Sequence, residues 1–383
     1  MASNPLNAAA AAELFPVIRR HTWLNHAAIS PWPEPVSKAM RDFVADNASQ
    51  GPLGYGRWLQ VEQRLRERAP GLFAQEHPDD IALLPNTSAG LNRVARGLDW
   101  REGDSVVFMA DDFPSNRLPW QGLERLGVQP RPVSLDAHDP ERSLIAAMGP
   151  STRLLAVSSV HYETGLRLDL TRLGEACSRH GVLFCIDAIQ HLGALPLDVD
   201  QVQADFVVGG SHKWLLAPEG LAVFWSRPEA RALLEVVEPG WRMFADPFNF
   251  ARADWTAPAS ARRFEPGTLN TAAIHGLEAS ISLLLEHGLD QIGSALLDRT
   301  DLLTEALESV PGIWLTSPVE RERRAGIVSL VIDGMDSDRA LAQLTLNGIH
   351  AAIRGRCLRL SPHFYTPIEQ LEATIEVIRK LAK

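Results

Sequence analysis

The most reactive arrangement in the chain is Gly209-Gly210-Ser211-His212-Lys213-Trp214, which continues directly from the apolar run Asp205–Gly209. A lysine beside a core strand is rare without a partner or a task. Desolvated at a strand end, its amine has a lowered pKa and can form a Schiff base with an aldehyde. The same residues also suit a surface lysine in a glycine-rich turn. Asp187 closes a second apolar run, Val182–Asp187. Open α/β sheets bind ligands at the carboxyl ends of their strands, where an acid can hold a cationic ring nitrogen. Asp is equally a common helix N-cap. Asn86-Thr87-Ser88-Ala89-Gly90 joins a strand to a helix. Hydroxyls and free N–H groups at a helix start receive anions, although a plain Thr or Ser cap has the same appearance. Phe113-Pro114-Ser115-Asn116 follows the run ending at Ala110, and its ring suits either a flat ligand or the core.

An amine for an aldehyde, a carboxylate for a ring nitrogen, an anion pocket and an apolar face are together the requirements of pyridoxal 5′-phosphate. Its protonated pyridine draws electrons from a substrate Cα. The four pieces in this order, each at a strand end, are far more specific than any one of them.

The elements that must position these groups alternate along the chain. Strands are expected at Ile81–Pro85, Ser105–Ala110, Leu154–Val160, Val182–Asp187, Asp205–Gly209 and Leu221–Trp225, each a short and nearly continuous apolar run. Strands buried on both faces have this composition, which predicts a mainly parallel sheet covered by helices. Helical spacing follows the first of them at Leu91, Val94, Ala95 and Leu98. Residues 238–263 are rich in Trp, Phe, Pro and Arg and show no period. A helix carrying Ile274, Leu277, Ile281, Leu284 and Leu285 then runs to a stop at Gly288. The last hundred residues predict a smaller α+β unit, with helices near 292–307 and 337–346, strands at 326–332, 350–354 and 358–360, and a final helix carrying Ile368, Leu371, Ile375 and Ile378. Two domains are expected, 20–285 and 286–383, with residues 1–19 packing on the second.

Composition narrows the function further. The 383 residues carry 37 Lys+Arg against 47 Asp+Glu, a net charge of −10, which argues against nucleic-acid binding. No run approaches the length that a bilayer requires. Cys177, Cys185 and Cys357 are too few and too scattered for a disulfide framework or a zinc site. The start of the chain does not resemble a secretion signal, so a cytoplasmic enzyme is expected. Neither G-x-G-x-x-G after a strand nor G-x-x-x-x-G-K-[ST] occurs, which leaves a nucleotide-dependent enzyme without its phosphate loop.

From Trp23 to the final helix the sequence resembles the class V aminotransferase family of fold-type I pyridoxal phosphate enzymes, which includes cysteine desulfurases, kynureninases and isopenicillin N epimerase-like proteins. Trp23-Leu24-Asn25-His26-Ala27-Ala28 is similar to the opening segment bordering the substrate, and Asn86-Thr87-Ser88 to the phosphate loop. Phe113-Pro114-Ser115-Asn116 resembles the segment whose Phe stacks on the ring. Asp187-Ala188-Ile189-Gln190 resembles D-x-x-[HQ], in which Asp pairs with the ring nitrogen and Gln contacts the ring oxygen. Ser211-His212-Lys213 resembles the S-H-K motif, with Lys213 as the Schiff-base lysine and His212 near the phosphate. Arg263-Phe264-Glu265-Pro266-Gly267-Thr268 is similar to a segment whose Thr reaches the phosphate of the neighbouring subunit, which implies a homodimer. Arg359-Leu360-Ser361 resembles the segment whose Arg holds the substrate carboxylate.

The resemblance implies cofactor contacts from Thr87, Ser88, Phe113, Asp187, Gln190, Ser211, His212, Lys213 and Thr268. It implies substrate contacts from Asn25, His26, Tyr162, Arg354 and Arg359. Two departures stand out. Where the family often has Asn before the glycine of Val160-His161-Tyr162-Glu163-Thr164-Gly165, this chain has His161 or Tyr162. Cys357 lies only two residues before Arg359, the wrong place for a mobile nucleophile. An aminotransferase acting on a small amino acid is the leading expectation. A C–S or C–C lyase and an epimerase share its first half-reaction.

Overall fold

The structure is a computed structural model and describes residues 8–136, 138–244, 246–251 and 256–383. In chain order its strands are β1 (Thr22–Trp23), β2 (Ile81–Leu84), β3 (Ser105–Met109), β4 (Gln129–Val133), β5 (Thr152–Ser158), β6 (Leu183–Asp187), β7 (Phe206–Gly210), β8 (Ala222–Ser226), β9 (Ile313–Leu315), β10 (Val328–Ile332), β11 (Ile349–His350), β12 (Ala352–Arg354) and β13 (Cys357–Leu360). Seven of them form one sheet in the order β2-β8-β7-β6-β5-β3-β4. Strands β3 to β7 pair in parallel, and β8 runs antiparallel to both β7 and β2.

The apolar runs that predicted these strands are buried on both faces because alternate side chains serve two cores. Val107, Leu155, Ile186 and Val207 enter one cluster with the helix Thr271–His287. Val106, Leu154, Cys185, Phe206 and Val208 enter the other with the helix Thr87–Gly97. Strand β4 is absent from the expectations because its sequence, QPRPV, carries two prolines and no apolar run. It pairs only with β3 at the sheet edge, where missing N–H donors are tolerated. The observed sheet is the fold-type I architecture expected from the sequence.

The C-terminal strands form an antiparallel sheet in the order β12-β13-β10-β9. The helices Leu289–Glu308, Ser337–Leu346 and Ile368–Leu381 share an apolar core with it. Its sequence-read strand at 350–354 is divided between β11, which pairs with β1, and β12, which joins the antiparallel sheet. The helix Thr271–His287 ends where expected, with Gly288 at φ 80°. Phe15 stacks on Tyr365 with ring centroids 3.6 Å apart, and the Gln370 side chain donates to the Ile18 carbonyl. The rest of the expected N-terminal packing, residues 1–7, lies outside the described residues. Among the described residues, no helix is long and apolar enough to cross a membrane.

Candidate active site

At the carboxyl ends of the parallel strands, Ser158 on β5 is in register with Asp187 on β6, and the β7 strand runs straight into the turn that carries Lys213. These ends open on a cavity of about 380 Å³ whose lining includes Thr87, Ser88, Phe113, Tyr162, Asp187, Gln190, His212, Lys213, Arg354 and Arg359. Ten of the sequence-predicted site residues therefore meet in one place, although they come from segments spread along the chain.

Asp187 is 2% exposed and accepts one hydrogen bond, from the Ile189 N–H at 3.0 Å. Burial pushes its carboxyl up to about 7, and the nearby Asp112 carboxylate adds to the rise. The Ile189 N–H and Lys213 oppose it. Lys213 shows the reciprocal effect: burial pulls its amine down to about 8, against the attraction of Asp187, and Arg359 and Arg354 lower it further. Its Nζ lies 5.8 Å from the centre of the Phe113 ring. An amine that is partly neutral near physiological pH is the form that attacks an aldehyde.

The anion end is built at the start of the helix Thr87–Gly97. Asn86 caps that helix by accepting from the Ala89 N–H at 2.8 Å. The Ser88 hydroxyl is 2.7 Å from that of Ser115. The Thr87 hydroxyl is buried without a partner. A Cβ on Gly210 would lie 3.1 Å from it and 3.3 Å from the His212 ring, so the glycine keeps a cradle open. His212 is held below the ordinary histidine range by burial, and then by Lys213.

At the opposite end, β13 carries Arg359, which is 1% exposed. One guanidinium nitrogen donates to the Tyr162 carbonyl at 2.6 Å, while Nε and Nη2 have no partner. Burial lowers it to about 9, and Arg354 contributes to the fall. Tyr162 packs edge-on against Phe113, with centroids 5.4 Å apart. Of the two candidates before Gly165, Tyr162 lines the cavity, whereas His161 turns away to Thr164 and the Asp111 carbonyl.

The other predicted residues lie elsewhere. His26 is fully buried behind the wall formed by Ala27, Ala28 and Ile29, held by the Ser361 carbonyl at 2.8 Å and the Tyr365 hydroxyl at 2.6 Å. Burial lowers it to about 4. Asn25 forms a bridge to Ser361 in the same seam and does not line the cavity. The Ser211 hydroxyl donates to the Leu221 and Pro218 carbonyls and so fixes the turn. Gln190 reaches the cavity with its amide already engaged: it accepts from the Trp214 ring N–H at 2.7 Å and donates to the Ala27 carbonyl at 3.0 Å. Thr268 lines a separate small cavity with Tyr55, Trp58, Leu59, Glu62 and Arg242. The Cys357 thiol lies 3.5 Å from the Thr316 hydroxyl and 3.8 Å from a Glu163 oxygen, and burial raises its pKa.

Sequence reasoning missed Asp112, which supports the cavity from behind without lining it. It is 1% exposed and accepts hydrogen bonds from the Phe113 N–H, the Asn116 side chain, and the N–H and hydroxyl of Ser158. It thereby ties the Phe113 turn to the end of β5. The available signal was an acid at a strand end, the same signal that identified Asp187.

The cavity offers a partly neutral amine, a buried carboxylate, an orphaned hydroxyl beside a glycine cradle at a helix start, and an orphaned buried guanidinium. This set fits pyridoxal 5′-phosphate and an amino-acid carboxylate. The comparisons agree with that chemistry. A family model described as aminotransferase class-V matches residues 22–375. A probable cysteine desulfurase of Methanothermobacter thermautotrophicus is 30% identical, with 96% of each chain covered. The isopenicillin N epimerase of Streptomyces clavuligerus is 28% identical over 92% of this chain and 99% of its own. The solved cystine C–S lyase C-DES, in complex with its product cysteine persulfide, superposes with a TM-score of 0.88 at 23% identity, covering 95% of this chain and 99% of the other. The chain belongs to the aminotransferase class-V family and is a pyridoxal-phosphate-dependent enzyme.

Proposed function

We propose that the protein is an aminotransferase for a small α-amino acid and works as a cytoplasmic homodimer. Lys213 carries the reading: a buried amine lowered to about 8 that shares its cavity with the Asp187 carboxylate and the orphaned Arg359 guanidinium. Bound pyridoxal phosphate supplies an aldehyde for that amine and a ring that withdraws electrons from Cα. Thr87, Ser88 and His212 would hold the phosphate end, with Ser211 fixing the turn behind them, and Thr268 of the partner subunit would join them. Asp187 receives the ring nitrogen, and Phe113 covers the ring. Gln190, which already donates to the Ala27 carbonyl, would turn its remaining amide hydrogen to the ring oxygen. Arg359 and Tyr162 receive the substrate, with Asn25 and His26 fixing the wall behind it. In its neutral form the Lys213 amine would be the base that takes the Cα proton. The chain works as two domains, 20–285 and 286–383, and the second supplies the arginines.

A second reading, loss of a β-substituent, is supported by the relatives named cysteine desulfurase and by the likeness to a cystine C–S lyase. A persulfide carried on the protein has no support, because Cys357 is buried with a raised pKa and lies outside the cavity lining.

The purified protein should be yellow, bleach with borohydride, and lose the covalent adduct in Lys213→Ala. Incubation with L-amino acids should then convert the cofactor to its amine form, and a keto acid should reverse the change. A wild type that stays colourless with added cofactor would overturn the whole reading. Release of pyruvate, alanine or sulfide without an acceptor would replace transamination by elimination. Appearance of the D-isomer alone would assign epimerisation.

A further inference from the structure

The cavity contains a second guanidinium that the α-carboxylate does not require. Strands β12 and β13 form an antiparallel hairpin in which Ala352 faces Arg359 and Arg354 faces Cys357. Directly opposed residues share a face, so Arg354 and Arg359 are diagonal neighbours on one side of the hairpin. Such diagonal positions lie about 7–8 Å apart, and both side chains line the cavity.

Neither arginine pairs with a carboxylate among the described residues. Arg354 donates to the carbonyl of its neighbour Ile353, and Arg359 to that of Tyr162. Two guanidinium groups in one half-buried cavity repel each other, and Arg354 is a charge that lowers Arg359. The acid on this side, Glu163, lies against Cys357 and attracts Arg359 without forming an ion pair with either arginine. A ligand with one carboxylate leaves one of these cations unmatched. The helix start that suits the phosphate is built from other segments, around Thr87 and Ser88.

Resting on the reading of the cavity as an amino-acid site, we infer that the preferred substrate carries a second anionic group on its side chain. Arg359 takes the α-carboxylate and Arg354 takes the distal acid, as in a short dicarboxylic amino acid or its sulfinate or phosphate counterpart. Arg354 is thus a specificity-determining residue.

Binding of unreactive acids to the cofactor-loaded enzyme tests this without turnover. Succinate and glutarate, titrated by absorbance change, should bind about ten- to hundredfold more tightly than butyrate, the range expected for one additional charge-assisted contact. Arg354→Gln should abolish that preference and leave butyrate affinity within about twofold. Arg359→Gln should weaken both classes. Equal binding of mono- and dicarboxylates by the wild type would overturn the inference. So would an Arg354→Gln enzyme that loses butyrate as severely as succinate, since both arginines would then grip one carboxylate. An elimination enzyme would show the same binding preference, so failure of transamination leaves this result standing.

Discussion

Burial moves the ionisations of Lys213 and Asp187 towards each other: the amine falls to about 8 and the carboxyl rises to about 7. Each change disfavours the charged form, as desolvation requires, and each is moderated by the other residue's charge. The sign of the pH response follows. Below about 8 the folded protein holds the amine as ammonium, which cannot attack an aldehyde, and above that value the neutral amine dominates. Cofactor capture by the apo-protein, followed by stopped-flow absorbance, should therefore accelerate as pH rises, with a midpoint near 8 rather than near the ordinary lysine value. Arg359→Ala removes a positive neighbour and should move that midpoint upward. A midpoint that stays above 10 in the wild type would contradict the burial of this amine.

Among the elements that build the candidate site, the helix Thr87–Gly97 tolerates little change. It packs so closely on β7 that a Cβ on Gly90 would lie 2.6 Å from Val208 Cγ2. Gly90→Ala should lift the helix from the sheet, cost about 1–3 kcal/mol in urea unfolding, and speed cofactor dissociation by displacing the anion end. Gly56, in the helix Tyr55–Arg68, has no atom within 4 Å of its notional Cβ. Gly56→Ala should therefore be neutral or stabilising by up to about 1 kcal/mol, without effect on the cofactor. Equal behaviour of the two variants would show that propensity rather than packing governs both sites. The same helix Tyr55–Arg68 anchors the segment before Thr268. Arg66 bridges Glu62 at 2.9 Å and Glu265 at 2.6 Å, and Glu265 also accepts from the Leu83 N–H of β2 at 2.7 Å. This buried ion cluster sets where the Arg263–Thr268 segment leaves the core.

For the whole molecule, Thr268 is the residue whose proposed role the single chain does not complete. It faces a small cavity away from Lys213, and beside that cavity Tyr55, Trp241, Phe248 and Phe250 form a chain of ring contacts. Phe250 is 77% exposed and Phe248 47%, an apolar patch of the kind that marks an interface. Light scattering on the cofactor-loaded protein should give the mass of two chains. Phe250→Asp should shift it towards one chain and weaken cofactor retention. A wild type that is monomeric and retains its cofactor fully would remove Thr268 from the site.

The sequence by itself determined the parallel sheet, the strand ends and the identity of the amine and carboxylate there. Those features are local: an apolar run fixes a buried strand, and the next polar residue must stand at its end. The same logic passed over Asp112, because an acid at a strand end reads alike whether it faces a ligand or ties a turn. It also missed β4, whose edge position frees it from needing an apolar run. Tertiary structure alone decided that His26 lies sealed under Tyr365, that Tyr162 rather than His161 faces the cavity, and that Arg354 stands diagonal to Arg359. Each of these depends on register or burial between separate segments, whether far apart in the chain, as for His26 and Tyr365, or joined by a tight turn, as for Arg354 and Arg359, and residue spacing along a single segment carries no information about either.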